Sequence, residues 1–182
     1  MFKIAVTGPE STGKSLLCAH LAKHFNCDWV PEFARDYLAN LKQNYALSDL
    51  KRIAEGHLTK ELNTCKTTQN KTILFIDTDF INLKIWSEHK FQQVDPFISQ
   101  NIAAHRYDFT LLCYPDLPWE YDTMRENPDL GTYFFNLFEE ELIRNKQKFA
   151  IIKGKDSARF KLAITELLCF LEEQTTNSCK KQ

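Results

Sequence analysis

Several things are scarce or missing in this chain, and each absence narrows its function. Its 182 residues carry a formal net charge of −1. There is no surplus of positive charge to make nucleic acid or an anionic membrane the main partner, although a small local basic site remains compatible with that balance. No apolar run is long enough to cross a bilayer. The first apolar segment starts almost at Met1, so no signal peptide is expected. The six cysteines (18, 27, 65, 113, 169 and 179) are scattered, with no C-x-x-C pair. That pattern suits a reduced, cytoplasmic setting better than a disulfide framework or a zinc site. Cys113 and Cys169 lie in apolar runs and read as buried thiols. There are no internal repeats and no linker. With 43 % hydrophobic and 26 % charged residues, the mix is that of an ordinary globular chain. One domain over residues 1–173 is expected, followed by a polar tail over 174–182.

The richest stretch is Gly8-Pro9-Glu10-Ser11-Thr12-Gly13-Lys14-Ser15, which fits G-x-x-x-x-G-K-[ST]. Lys3 to Thr7 before it reads as a short buried strand. Leu16 to Phe25 after it repeats apolar residues at helical spacing. Strand, glycine loop and helix thus stand in the order a phosphate cradle needs. Gly8 and Gly13 let the backbone turn its N–H groups inward, and the helix aims its positive end at the same place. Lys14 would reach the β- and γ-phosphates of ATP, and the Ser15 hydroxyl would serve Mg²⁺. Glu10, Ser11, Thr12 and Leu16 complete the expected nucleotide-binding set.

Further along, Asp28 to Val30 is a weak strand. The helical pattern after Pro31 places Glu32 and Arg35 three apart, able to share a face. On residue types alone that pair reads first as a surface ion pair. Ser48 is a candidate cap for a helix running to about Thr64, whose apolar face includes Leu62 and carries His57. Thr72 to Ile76 is a core strand that ends on Asp77-Thr78-Asp79. An acid at the carboxyl end of a strand beside a P-loop has the form of a magnesium-binding element. Asp77 suits that role, and Asp79 suits either a site or the cap of the next helix. Strand Phe109 to Cys113 leads into residues 114–131, the longest irregular stretch, with three prolines. Its length and its cation, Arg125, suggest a lid. Helix Tyr133 to Asn145, strand Phe149 to Ile152, a turn at Gly154-Lys155-Asp156 and a helix from Ser157 to Glu173 finish the pattern. The fold class is α/β: a P-loop kinase domain with a parallel sheet of about five strands and helices on both faces.

Four segments, GPESTGKS (8–15), PEFARDYL (31–38), FIDTDFINLKIW (75–86) and DLPWEYDTMRENP (116–128), together resemble the ribosylnicotinamide kinases of the NadR type. The likeness runs from Met1 to about Leu171. It implies transfer of phosphate from ATP, with Mg²⁺, to the 5′-hydroxyl of nicotinamide riboside, a small-molecule substrate. In that frame Lys14 and the loop amides hold phosphates, and Ser15 and Asp77 organise the metal. Glu32 or Asp79 orients or deprotonates the acceptor, while Arg35 and Arg125 offset developing charge. Lys155 marks the adenine seat, and Phe33, Phe80 and Trp86 are candidates for contact with a flat ring. These residues leave no room for the DNA-binding segment and adenylyltransferase domain that NadR-type proteins often add, so those activities are not expected here. Pro31 stands where some members of the family carry an aromatic residue, which leaves the nucleoside open. The nearest rival is a kinase for another nucleoside or small metabolite. A GTPase-like switch would need N-K-x-D. Asn70-Lys71-Thr72-Ile73 and Asn145-Lys146-Gln147-Lys148 both lack its aspartate.

Overall fold

The computed structural model describes residues 1–41, 43–68, 71–122 and 124–179, with side chains described as far as residue 176. Five strands form one parallel sheet: β1 (Phe2–Thr7), β2 (Asp28–Val30), β3 (Ile73–Asp77), β4 (Phe109–Cys113) and β5 (Phe149–Ile152), in the order β2-β3-β1-β4-β5. Strands β3 and β4 are buried along their whole length. This is why they read as unbroken apolar runs and not as alternating ones.

Seven helices cover the sheet: α1 (Lys14–His24), α2 (Phe33–Ala39), α3 (Leu47–Thr67), α4 (Phe80–Phe91), α5 (Pro96–Ala104), α6 (Gly131–Arg144) and α7 (Asp156–Cys179). The pleat sorts each strand between the two layers. Ile4, Val6, Phe75, Leu111 and Cys113 pack with Leu17 and Leu21 of α1 and with Ala163 and Leu167 of α7. On the other face, Leu112 packs with α6 through Phe134 and Phe138 and with α4 through Ile81 and Ile85. Among the described residues, no helix is long and apolar enough to cross a membrane.

The chain fills β2 and β3 on one side of central β1, and the β3–β4 connection then carries it to the other side. A crevice for ligands opens at such a switch point, outside the carboxyl ends of the strands. The register pairs Val6 with Asp77. The P-loop after β1 and the acid ending β3 therefore share one edge of the sheet.

Some boundaries differ from those the sequence suggests. Ser48 does not cap α3. The helix starts one residue earlier, at Leu47, and the Asp49 carboxylate reaches back to accept from the Ala46 N–H at 2.8 Å. Leu62 is exposed, while its neighbour Glu61 is fully buried and pairs with Lys3 at 2.9 Å. Cys169 is exposed on α7 and is not a core thiol. Helix α7 continues past Glu173 to Cys179, which takes in most of the expected tail. The final residues, 180–182, lie outside the described part, as does Asn70 of the first N-K pair.

Candidate active site

The P-loop begins where β1 runs out of room. Gly8 has φ +132°, and a Cβ there would sit 2.7 Å from the Cys113 carbonyl oxygen. No other residue fits that approach. Gly13, at φ +75°, then turns the chain into α1, which has no acid in its first turn to blunt its positive end. The Thr12 hydroxyl closes the loop on the Pro9 carbonyl at 2.8 Å. The Lys14 ammonium bends back over the loop, donating to Gly8 at 3.0 Å and Pro9 at 2.8 Å. Carbonyls in those positions hold the cation over the space that a phosphate chain fills.

Beside the loop, Asp77 is 1 % exposed, and among the described residues neither carboxylate oxygen has a hydrogen-bond partner. Burial pushes its pKa up to about 6, against the opposing pull of Ser15, Lys14 and Arg35. A buried, unsatisfied carboxylate is costly, so it calls for a ligand. Among the described residues, no group of three or more His, Cys, Asp or Glu side chains is arranged to hold a metal. One carboxylate with one hydroxyl, that of Ser15, fits Mg²⁺, which keeps waters and takes the remaining ligands from substrate phosphates.

Asp79 takes the second of its two expected parts, the cap of the next helix, and does not line the cleft where an acceptor would be handled. It caps α4, its Oδ1 accepting from the Asn82 N–H at 2.9 Å and from the Thr7 hydroxyl at 3.0 Å. It is buried away from the large cleft, and burial raises its pKa to about 6 as well. The cause is Thr78, a β-branched residue held at φ +77°. That strained residue turns the chain between the two acids.

The cleft itself has a volume of about 970 Å³. It is lined by the P-loop, Leu16, Lys155 and Asp156, and also by Glu32, Arg35, Asp36, Asp77, Trp86, His89 and Lys90. Glu32 stands at the N-cap position of α2 without a side-chain cap hydrogen bond, and Arg35 pairs with it at 3.4 Å and with Asp122 of the 116–131 segment at 2.9 Å. Of the three aromatics expected to meet a ring, only Trp86 lines the cleft. Phe80 is 1 % exposed in the core, and Phe33 packs so closely on α3 that a Cβ at Gly56 would lie 2.2 Å from its ring.

The segment 116–131 lies down on the P-loop. Arg125 donates to the Glu120 carbonyl at 2.6 Å and to the Ser11 hydroxyl at 3.2 Å, and it lines the cleft. Gly154, before α7, donates to Asp116 at 2.6 Å. Arg159, which the sequence reading missed, is 5 % exposed and clasps three segments. It donates to the carbonyls of Ile152 (2.7 Å), Thr12 (3.2 Å) and Tyr114 (2.7 Å) and faces Asp116 at 3.2 Å. Its signal was faint: an arginine on the same helical stripe as Ala163, Leu167 and Phe170.

Comparison with known proteins bears on the family and the fold. The profile of the AAA domain family matches residues 3–159. The trifunctional NAD biosynthesis/regulator proteins NadR of Salmonella typhimurium and Escherichia coli are each 32 % identical over 162 residues, 84 % of this chain and 38 % of the relative. The chain thus spans well under half the length of these curated relatives. A NadR protein solved in complex with NR superposes with a TM-score of 0.79 at 25 % identity, over 93 % of this chain and 51 % of that one. A thymidylate kinase from Ehrlichia chaffeensis, at 16 % identity and a TM-score of 0.59, covers 93 % of this chain and 98 % of its own and shares the fold. By the match from Lys3 to Arg159, the chain belongs to the AAA domain family and is homologous to the NadR proteins.

Proposed function

We propose that this chain transfers the γ-phosphoryl group of ATP to the 5′-hydroxyl of nicotinamide riboside, giving the mononucleotide and ADP. The observation that carries the reading is the single cleft. It joins a P-loop with an orphaned, buried Asp77 to a second lobe holding Glu32, Arg35 and Trp86. A switch or motor has no use for an acceptor lobe opening straight onto its phosphate cradle. The NadR relatives and the NadR structure in complex with NR support the choice of nucleoside. The scattered free cysteines support a reducing compartment, the cytoplasm.

In this mechanism the chain mainly positions groups and supplies charge. The acceptor oxygen bonds to the γ-phosphorus as the bridging bond to the β-phosphate breaks, and ADP leaves. Lys14 and the amides of residues 11–15 hold the phosphates. Mg²⁺, held by Ser15 and Asp77, would neutralise charge on the phosphate oxygens. Glu32, which lines the cleft, orients the hydroxyl and takes its proton, while Asp79 is engaged by the Asn82 N–H and the Thr7 hydroxyl outside it. Arg35 and Arg125 face the charge that develops during transfer. Lys155 and Asp156 border the nucleotide end, where the adenine is to sit. Trp86 offers its face to the ring.

The test is kcat/KM for nicotinamide riboside against uridine, cytidine, thymidine and adenosine, with ATP and Mg²⁺. Preference for nicotinamide riboside by tenfold or more is expected, since a site that hydrogen-bonds its substrate discriminates strongly. Equal or better efficiency with an ordinary nucleoside rejects the substrate. Absence of transfer to any nucleoside rejects the kinase.

A further inference from the structure

We infer that Glu10, in one of the free positions of the P-loop, is a positioning residue that anchors the lid instead of contacting the nucleotide. The sequence places Glu10 in the nucleotide-binding set, yet a carboxylate beside the seat of an anionic triphosphate repels it. The structure gives it other work. Its Oε1 accepts from the indole Nε1–H of Trp119 at 3.1 Å and from the Asn127 N–H at 2.7 Å, and its Oε2 accepts from the Glu126 N–H at 3.1 Å. All three donors belong to the lid, residues 116–131. Ser11 adds three contacts, accepting from the Glu120 N–H at 3.0 Å and from the Arg125 guanidinium at 3.2 Å and donating to the Pro118 carbonyl at 3.3 Å. With the lid down, the charge of Glu10 is spent on lid donors. With the lid up, it is free to oppose the phosphates.

The anchor also reaches the acceptor lobe. Glu126, whose N–H meets Glu10, sends its carboxylate to Lys90 at 2.6 Å and to the Tyr45 hydroxyl at 3.1 Å. Tyr45 in turn accepts from the indole N–H of Trp86 at 2.8 Å. One lid residue is therefore bonded at the same time to the P-loop and to the wall around the proposed acceptor. Arg125 stands one residue before it. Glu10 thereby fixes where that arginine stands and whether water is excluded during transfer.

The inference rests on the kinase reading for its consequence and on the hydrogen bonds alone for its geometry, so two measurements separate them. The first is amide hydrogen exchange at Glu126 and Asn127 in the nucleotide-free protein. In Glu10→Ala it should quicken by about tenfold or more, the scale of losing a hydrogen bond to a charged acceptor. Glu10→Gln, which keeps one acceptor oxygen, should show a smaller rise. The second is the ratio of phosphate transferred to nicotinamide riboside over phosphate released to water. It should fall about tenfold in Glu10→Ala. Trp119→Phe, which removes only the indole donor, should add little on top of Glu10→Ala, since both break one contact. Unchanged exchange at both amides overturns the inference. So does a Glu10→Ala protein that binds ATP more tightly and keeps its transfer ratio, the behaviour of a carboxylate that only repels phosphate. Faster exchange in a protein that phosphorylates no nucleoside sustains the anchor and rejects the kinase.

Discussion

Replacing Asp77 by Asn should make this protein more stable and less active, and the gain should depend on pH. Asp77 titrates at about 6 in the folded chain against an ordinary 3.8, because burial penalises its charge. The raised value means that the folded state holds a proton that the unfolded state releases between those two limits. The cost of ionising the buried group is therefore fully present above about pH 6 and absent below about 3.8. At 1.36 kcal/mol per pKa step that cost approaches about 3 kcal/mol. Asparagine keeps the shape and removes the charge, but it leaves a buried amide without partners, which returns about 1–2 kcal/mol of the gain. A net stabilisation of about 1–2 kcal/mol remains at pH 8, or about 2–6 °C in Tm. Thermal unfolding in EDTA from pH 4 to pH 8 is the assay, and the Tm advantage of the variant should vanish at about pH 5 and reverse towards pH 4, where the ionisation cost has gone and the amide's penalty remains. Adding Mg²⁺ with a non-hydrolysable ATP analogue should reverse the order at pH 8. Only the wild type would then gain the full binding energy, about 2.7 kcal/mol at a hundredfold excess over Kd. A variant less stable than wild type at pH 8 in EDTA would refute the reasoning. A difference that ignores pH would refute it equally.

Three more expectations follow from other parts of the fold. His57 is 3 % exposed, its Nε2 has no partner among the described residues, and burial lowers its pKa to about 4. The unfolded chain takes up that proton from about pH 6.5, so stability is lost as pH falls, in the opposite sense to Asp77. His57→Leu should narrow the loss between pH 7 and pH 5 by about 2 kcal/mol in urea unfolding, and an unchanged loss would show that the imidazole is protonated in the fold. Gly56→Ala should cost about 1–3 kcal/mol despite alanine's better helix propensity, because its Cβ would meet the Phe33 ring at 2.2 Å. Adding Phe33→Leu should recover much of the lost Tm. Arg159→Met should cost about 3 kcal/mol or more and raise KM for ATP, since it leaves the carbonyls of Ile152, Thr12 and Tyr114 without that donor and Asp116 without its cation. Arg159→Lys should not rescue either quantity, as one ammonium cannot span carbonyls on three segments.

How much of this was legible in the sequence depended on whether the cause was local. The P-loop could be read because glycine, lysine and serine at fixed offsets meet a requirement of the backbone itself, and Gly8 against Cys113 shows how strict that requirement is. The five strands could be read because strands buried on both faces leave continuous apolar runs. The cap of α3 could not be read so simply. Ser48 has the right residue type, but Asp49 wins because its carboxylate also receives the Tyr37 hydroxyl at 2.6 Å, a contact made across two helices. Arg159 and Glu10 were hidden for the same reason. Each is a charged residue whose partners are mostly backbone groups of other segments, and such partners leave no mark on the local pattern. The sharpest case is Asp77-Thr78-Asp79. Both acids stand at the carboxyl end of a strand beside the P-loop, so Asp77 reads as a site residue and Asp79 as either a site residue or a helix cap. Thr78 ends the strand geometry with a positive φ, and its own N–H still reaches the Val6 carbonyl at 3.0 Å. One acid is thus left unpartnered beside the phosphate cradle while the other is spent on the start of α4. A single dihedral, costing of order 1–3 kcal/mol, separates a proposed metal ligand from a helix cap, and the residue types themselves carry no record of it.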